Sequence, residues 1–245
     1  MQIKKTKKDK TVKKIFLTGE DGMLARETSR VLTEEKFCIV NRFSDTILPK
    51  TFRTDWNWVP EFDIRDYEKL QDAIKSVDIV IHYAAVAGSD KCEENKQLAF
   101  ECNVLGSFNV IMSCLKYNKK LVYISTTAVY KPDSLPLIES STQKPSTFYG
   151  ATKQCGEIMA QSLLSPRNLL IIRPCFIYGS KRDTSSNIAK MIHAFFKNEF
   201  VTLDINPIFC KDYMFITDYG EAIKVLLEKE AIGEYNISAG YPMLY

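Results

Sequence analysis

The chain has 245 residues, 45% of them hydrophobic, which is enough to bury a sizeable core and excludes disorder as its organising state. Its net charge of +3 hides an asymmetry: residues 1–14 carry seven lysines and one aspartate, +6, leaving 26 basic against 29 acidic side chains, −3, for the rest. That balance excludes a basic body built for nucleic acid, and with no apolar run of about 18 residues and no signal-like h-region the expectation is a cytoplasmic protein without a membrane partner.

Residues 1–13 read as a flexible basic tail. Beyond them, short β-branched apolar runs alternate with longer helical stretches, the pattern of βαβ units around a parallel sheet. Strands are predicted at Lys14–Thr18, Phe37–Asn41, Trp58–Phe62, Asp78–Tyr83, Lys120–Ser125 and Leu169–Arg173. Helices are predicted at Met23–Glu35, Tyr67–Lys75, Gln97–Tyr117 and Tyr149–Leu164. Right-handed crossovers then favour an α/β, doubly wound sheet of order 3-2-1-4-5-6. After Arg173 the elements shorten, with helices expected over Asn187–Lys197 and Thr217–Lys229 and strands at Asp212–Ile216 and Tyr235–Ile237, together a partial cap.

The seven cysteines include no C-x-x-C pair, so neither a disulfide framework nor a zinc site is indicated, and the thiols are expected to be free and mostly buried. Two histidines, His82 and His193, leave little material for a metal centre or a histidine-based triad. Read alone, His82 is structural.

Between the first strand and first helix lies Thr18-Gly19-Glu20-Asp21-Gly22-Met23-Leu24-Ala25, the context in which a glycine turn offers backbone N–H groups to a pyrophosphate. Gly19 permits the turn, Gly22 lets a phosphate approach, and Asp21, Met23 and Leu24 complete the loop and the first helical turn. About 20 residues on, an acidic side chain normally binds the adenosine ribose. Here Asn41 and Arg42 stand instead, which leans toward NADP over NAD because arginine can pair with a 2′-phosphate. Asp63, followed by Ile64, is placed to accept from an adenine amino group, and Tyr83-Ala84-Ala85 would let a ribose lie against the backbone. Asn103 is a candidate for bonding the backbone near the site.

Tyr149 and Lys153 are four residues apart at the start of a predicted helix, so they share a face. The expectation is that Lys153, with a cationic nicotinamide, lowers the Tyr149 pKa so that the phenol exchanges a proton with substrate while hydride moves. Ser125-Thr126-Thr127 ends the fifth predicted strand at the same sheet edge; Thr126 is chosen to hold the substrate oxygen, with Ser125 the alternative.

These motifs resemble the extended short-chain dehydrogenase/reductase family, the NAD(P)-dependent nucleotide-sugar epimerase/dehydratase/reductase group. Supporting residues run in order along the chain: Thr18–Ala25, Asp63, His82–Ala85, Asn103-Val104-Leu105-Gly106, Ser125–Tyr130, Tyr149, Lys153, Glu157, Arg173-Pro174, Tyr178-Gly179 and Lys211-Asp212-Tyr213. The resemblance implies a Rossmann NAD(P)-binding domain over 14–180, a partial substrate-binding region over 181–245 interleaved with the last sheet elements, and a possible homodimer. It also implies hydride transfer at a 4-keto or 4-hydroxy centre of a nucleotide-linked sugar.

Departures narrow the activity. Family dehydratases place an acidic pair after the catalytic threonine, where Thr127 and Ala128 stand here, so dehydration is not expected. Phe176 replaces an asparagine of many epimerases, as in dTDP-4-dehydrorhamnose reductases, whereas 211–218 looks more epimerase-like. The family usually continues for several more helices beyond the position of Tyr245, so the substrate-binding part is expected to look truncated. Two other functions stay open: an NAD(P)-binding regulator or scaffold without turnover, and nucleic-acid contact through the lysine arm.

Overall fold

A computed structural model of the chain describes residues 12–32, 36–40, 63–132, 135–179, 187–202 and 210–244. The chain runs β1 (Lys13–Thr18), α1 (Met23–Val31), β2 (Phe37–Ile39), α2 (Tyr67–Lys75), β3 (Ile79–His82), α3 (Ser89–Glu94) and α4 (Lys96–Phe100). A π-helical turn (Glu101–Gly106) leads to α5 (Ser107–Lys116), β4 (Lys120–Ile124), α6 (Phe148–Leu163), β5 (Leu169–Pro174) and β6 (Phe176–Tyr178). Last come α7 (Asn187–Lys197), β7 (Cys210–Phe215), α8 (Ile216–Glu228), β8 (Gly233–Ile237) and β9 (Pro242–Leu244).

The main sheet has the order β2-β1-β3-β4-β5-β8 with every neighbouring pair parallel. The registers Thr18↔His82 and His82↔Tyr123 bring the carboxyl ends of β1, β3 and β4 into line. Side chains alternate along each strand, so the two faces build separate cores. Ile15, Leu17, Ile81, Val122 and Ile172 pack with Leu24 of α1 and Tyr219, Ile223 and Leu227 of α8. Phe16, Val80, Leu121 and Ile171 pack on the other face with Leu70 and Ile74 of α2, Val110 and Ile111 of α5, and Ala160 of α6. This two-sided burial explains why the strands read as continuous apolar runs. The architecture is the doubly wound Rossmann arrangement, in which the described strands follow the predicted 2-1-4-5-6 sequence; the predicted strand at 58–62 lies outside the described residues.

Tyr235–Ile237 lies in β8, the last strand of the main sheet, parallel to β5 through Ile172↔Tyr235 and Pro174↔Ile237. Several other expectations are corrected. The cap-side strands form a separate three-stranded sheet, β6-β7-β9, which includes two strands that the sequence pattern did not mark. The predicted helix over 97–117 is helical throughout but passes through the π turn, and α3 precedes it unpredicted. Helix α1 ends at Val31 instead of Glu35, capped by the Leu32 N–H on the Thr28 carbonyl. The thiols are not mostly buried: Cys92 and Cys114 are, whereas Cys38 and Cys155 are exposed.

The helical run Lys96–Lys116 is long and apolar enough, by length and composition, to cross a bilayer, contrary to the expectation that no such stretch exists. Its Val110, Ile111 and Cys114 are fully buried against α2 and the sheet, the behaviour of a core helix in a folded domain.

Candidate active site

The turn after β1 shows why glycine stands at position 19. Gly19 has φ +69°, and a Cβ there would lie 2.7 Å from the Ala84 nitrogen, so only glycine lets the turn sit on the end of β3. Gly22 then caps α1, its N–H bonded to the Gly19 carbonyl at 2.9 Å. The first-turn N–H groups that follow, those of Met23 and Leu24, have no carbonyl four residues back within the helix and carry the positive end of its dipole. Leu24 is half-buried against the sheet core. Asp21 closes the loop through a 2.7 Å ion pair with Arg26.

His82 is fully buried beneath this turn, bonded to Thr18 Oγ1 at 2.7 Å through Nδ1 and to Ser107 Oγ at 2.9 Å through Nε2. Thr18 Oγ1 in turn accepts from the Ala84 N–H at 3.2 Å. Burial, reinforced by the charge of Lys153, holds the imidazole well below its ordinary pKa, so it is neutral. Its role here is to fasten β1, β3 and α5 together.

The other sequence candidates separate into three groups. Tyr83 sends its hydroxyl away from the turn, to Thr28 at 2.5 Å and Tyr219 at 3.2 Å, leaving only its backbone beside Ala84 and Ala85. Asp63 is engaged by Arg65 in a 2.6 Å ion pair, which holds its carboxyl below the usual range, and the Ile64 side chain is buried with its carbonyl taken by Asn109. Asn41 and Arg42 lie outside the described residues.

Asn103 sits in the π turn, fully buried. A widened helical turn of this kind recurs at functional sites because it re-aims one side chain. Its Oδ1 accepts from the Val86 N–H at 2.7 Å, and its Nδ2 donates to the Val86 carbonyl at 3.1 Å and to Thr152 Oγ1 at 3.0 Å. One amide thereby locks the loop after β3 to helix α6.

Thr126 follows β4 and accepts from the Ala128 N–H at 3.2 Å, starting a 3-10 turn. Helix α6 begins immediately beside it: Thr147 caps the Gly150 N–H at 3.1 Å, and a Cβ on Gly150 would collide with the Ala128 carbonyl. This close approach sets Tyr149 beside Thr126, near enough for the Thr126 hydroxyl to favour the phenolate. Burial pushes the Tyr149 phenol up to about 12, with the Cys92 thiol adding to the rise and the Thr126 hydroxyl opposing it. The expected lowering by Lys153 is therefore absent from the protein's own groups. Lys153 is itself 2% exposed, and its burial brings the ammonium down to about 7, against the pull of Glu157 and Cys92. A cation that has lost much of its charge cannot stabilise a phenolate strongly.

Below this pair, Arg173 of β5 is sealed from solvent and donates to Glu157 at 2.7 Å, to Tyr130 Oη at 2.7 Å and to the Glu139 carbonyl at 3.2 Å. Tyr130 donates onward to Asn236 of β8 at 2.7 Å. The network ties α6, β5, β8 and the loop after β4 into one frame, so Tyr149 cannot move independently of the sheet.

The arrangement fits a dinucleotide. The Gly19–Gly22 turn packs tightly on the end of β3 and leads into the N-terminus of α1, which suits phosphate, and Ser125 Oγ is buried without a hydrogen-bond partner among the described residues. Such an orphaned hydroxyl beside Thr126 is the kind of group a ligand satisfies. Among the described residues no cluster of three His, Cys, Asp or Glu could hold a metal ion. Asp90-Lys91-Cys92-Glu93 resembles the sugar-reductase group in sequence, but the influence of the Cys92 thiol on Tyr149 and Lys153 and the place of Tyr123 beneath Lys153 were not foreseen, because α3 and β4 meet α6 only in the folded chain.

Residues 15–238 match the model of the NAD dependent epimerase/dehydratase family. The chain is 31% identical to a putative UDP-glucose 4-epimerase of Methanocaldococcus jannaschii, over 85% of this chain and 71% of that protein. It is 26% identical to a dTDP-D-glucose 4,6-dehydratase of Dictyostelium discoideum, over 96% of this chain and 60% of that one. Relatives of this kind are longer: the chain spans 55% to 60% of the length of several curated ones. Among solved structures it superposes on a dTDP-4-dehydrorhamnose reductase of Bacillus anthracis in complex with NADP with TM-score 0.79 and 24% identity, covering 95% of this chain and 76% of that one, a likeness of fold. With its glycine cradle, its Tyr149–Lys153 helix and a family match across nearly all of its length, the chain belongs to the NAD dependent epimerase/dehydratase family.

Proposed function

We propose that this chain binds NAD(P) and acts, as an epimerase or reductase, on the 4-keto or 4-hydroxy centre of a nucleotide-linked sugar. The observation that carries the reading is the placement of Thr126 beside Tyr149, with Lys153 buried one helical turn on, at the carboxyl edge of the parallel sheet where ligands bind in such folds. Relatives named for epimerisation and dehydration of nucleotide sugars support the substrate class.

The Gly19–Gly22 cradle and the first turn of α1 hold the pyrophosphate, Ala84 and Ala85 leave room for a ribose, and Lys153 holds ribose hydroxyls. Asp63 and the Ile64 backbone border the adenine end. A bound nicotinamide dinucleotide supplies or accepts the hydride at the sugar carbon. Tyr149 does the proton work: its phenol gives a proton to the carbonyl oxygen as that carbon is reduced, and takes one from the hydroxyl in reverse. Thr126 donates to the same substrate oxygen and fixes its approach, and desolvation around Tyr149 keeps water from competing for the proton. Arg42 gives the cofactor preference its direction, toward the 2′-phosphate of NADP.

Exposed Phe100, Phe108, Leu115 and Ile158 leave apolar surface on α4, α5 and α6, which suits pairing with a second copy in the cytoplasm.

The test is direct. Purified protein given NADPH and a panel of dTDP- and UDP-linked 4-keto sugars should oxidise the cofactor, or given NAD(P) should interconvert UDP-hexoses, and Tyr149→Phe should remove either activity. Tight cofactor binding with no turnover on the whole panel would replace this reading with that of an NAD(P)-binding regulator.

A further inference from the structure

We propose that Tyr123 is a positioning residue for Lys153: its ring carries the ammonium, and its hydroxyl holds the backbone carbonyl of the same lysine. Three independent features of the fold support this. Lys153 Nζ lies 4.3 Å from the Tyr123 ring centroid, within the range in which a ring face attracts a cation, and both side chains are buried where that attraction is least screened. Tyr123 Oη donates to the Lys153 carbonyl at 3.3 Å. A Cβ on Gly156 would collide with that same hydroxyl, so helix α6 carries glycine where the phenol docks. A tyrosine in the middle of a parallel strand is ordinarily core packing; here its polar end is aimed at the turn of helix that carries Lys153.

Tyr123 also packs against a hydrogen-bonded series that starts at the Gly19 turn. The Ala84 N–H donates to Thr18 Oγ1, Thr18 Oγ1 is bonded to His82 Nδ1, and His82 Nε2 is bonded to Ser107 Oγ. The Tyr123 ring lies 5.6 Å from the imidazole. The strand end beside the glycine turn and the ring beneath Lys153 are thereby held together by side chains of β1, β3, β4 and α5.

Lys153 faces titratable neighbours from every packed element: Glu157 and Tyr149 on its own helix, Cys92 on α3, His82 on β3 and Tyr123 on β4. Among these Tyr123 alone supports its charge without carrying one, because burial pushes its own pKa far above neutrality. Tyr123 matters for turnover only if Lys153 has the role proposed above; the positioning itself does not depend on it.

The experiment reads the Lys153 titration by NMR of lysine labelled at the ε-carbon, in protein without substrate, the signal being assigned by its loss in Lys153→Met. Tyr123→Leu should lower the midpoint by about one pH unit, and Tyr123→Phe, which keeps the ring, by clearly less. An unchanged or raised midpoint in folded Tyr123→Leu overturns the proposal. If that variant does not fold, Tyr123→Phe is compared with protein carrying pentafluorophenylalanine at 123, whose ring face repels a cation. A lower midpoint with the fluorinated ring supports the proposal and equal midpoints overturn it. Should the titration shift as expected while no sugar is turned over, the functional reading fails and this one stands.

Discussion

The Glu157 carboxylate of α6 lies 2.7 Å from the Arg173 guanidinium of β5, and neither side chain reaches solvent. The pair spans the helix that carries Tyr149 and the strand on which it rests. Gln143 adds a hydrogen bond to Glu157 at 3.0 Å and Tyr130 one to Arg173 at 2.7 Å, so both charges are supported on more than one side.

Removing one partner leaves the other buried and uncompensated. Glu157→Gln should therefore destabilise the protein by about 3–5 kcal/mol, read by urea denaturation, and should lower cofactor affinity less than it lowers stability. The double variant Glu157→Leu, Arg173→Met should recover much of the loss. A single variant as stable as the parent would show that the pair is hydrated.

Lys153 gives stability a pH dependence of known sign. Its folded-state pKa is about 7, whereas in the unfolded chain it is about 10.4. Between these limits the unfolded state binds more protons, so stability rises as pH increases from about 7 to about 10.4. The difference between parent and Lys153→Met should change by on the order of 4 kcal/mol across that window, measured by denaturation at a series of pH values. A flat difference would mean that the ammonium keeps its hydration.

Thr126 lowers the Tyr149 pKa against the effect of burial. Thr126→Val should move the rising limb of the oxidation rate profile, on which Tyr149 loses its proton, to higher pH, and reduce the plateau rate. Tyr149→Phe should cost about 10²–10⁴ in turnover with cofactor affinity changed only a few-fold. Stopped-flow rates and cofactor fluorescence titrations separate the two effects.

Gly19→Ala combines a positive φ with a collision at the Ala84 backbone. It should cost about 1–3 kcal/mol of stability and more than about tenfold in NAD(P)H affinity, since the strand end that would have to yield also carries the cradle. Gly88→Ala has a positive φ but open space around its Cβ, so it should leave cofactor affinity nearly unchanged. Fluorescence titration of both variants makes the comparison.

Asn103→Ala removes the acceptor of the Val86 N–H and the donor to Thr152, while Cys92 Sγ still donates to the Val86 carbonyl. Buried groups left unpaired cost about 1–3 kcal/mol each, and faster amide exchange at Val86 should report the loss locally. Unchanged exchange there would mean that another group takes over the contact.

The parallel sheet was legible because β1, β3, β4 and β5 are buried on both faces and must therefore be apolar throughout. The glycine turn and the Tyr149–Lys153 pair were legible because local geometry, a turn and a helical repeat, forces their spacing. What the chain alone could not reveal depends on contacts between distant segments. β8 reads as a short polar-alternating strand, and only pairing with β5 puts it in the main sheet. The π turn places Asn103 on the Val86 peptide, 17 residues away, a contact made only in the folded chain. The pKa directions at Tyr149 and Lys153 were decided by burial, which the spacing of the two residues does not encode: the helical repeat sets which side chains share a face, and only the packed sheet, loop and α3 determine how little water reaches that face.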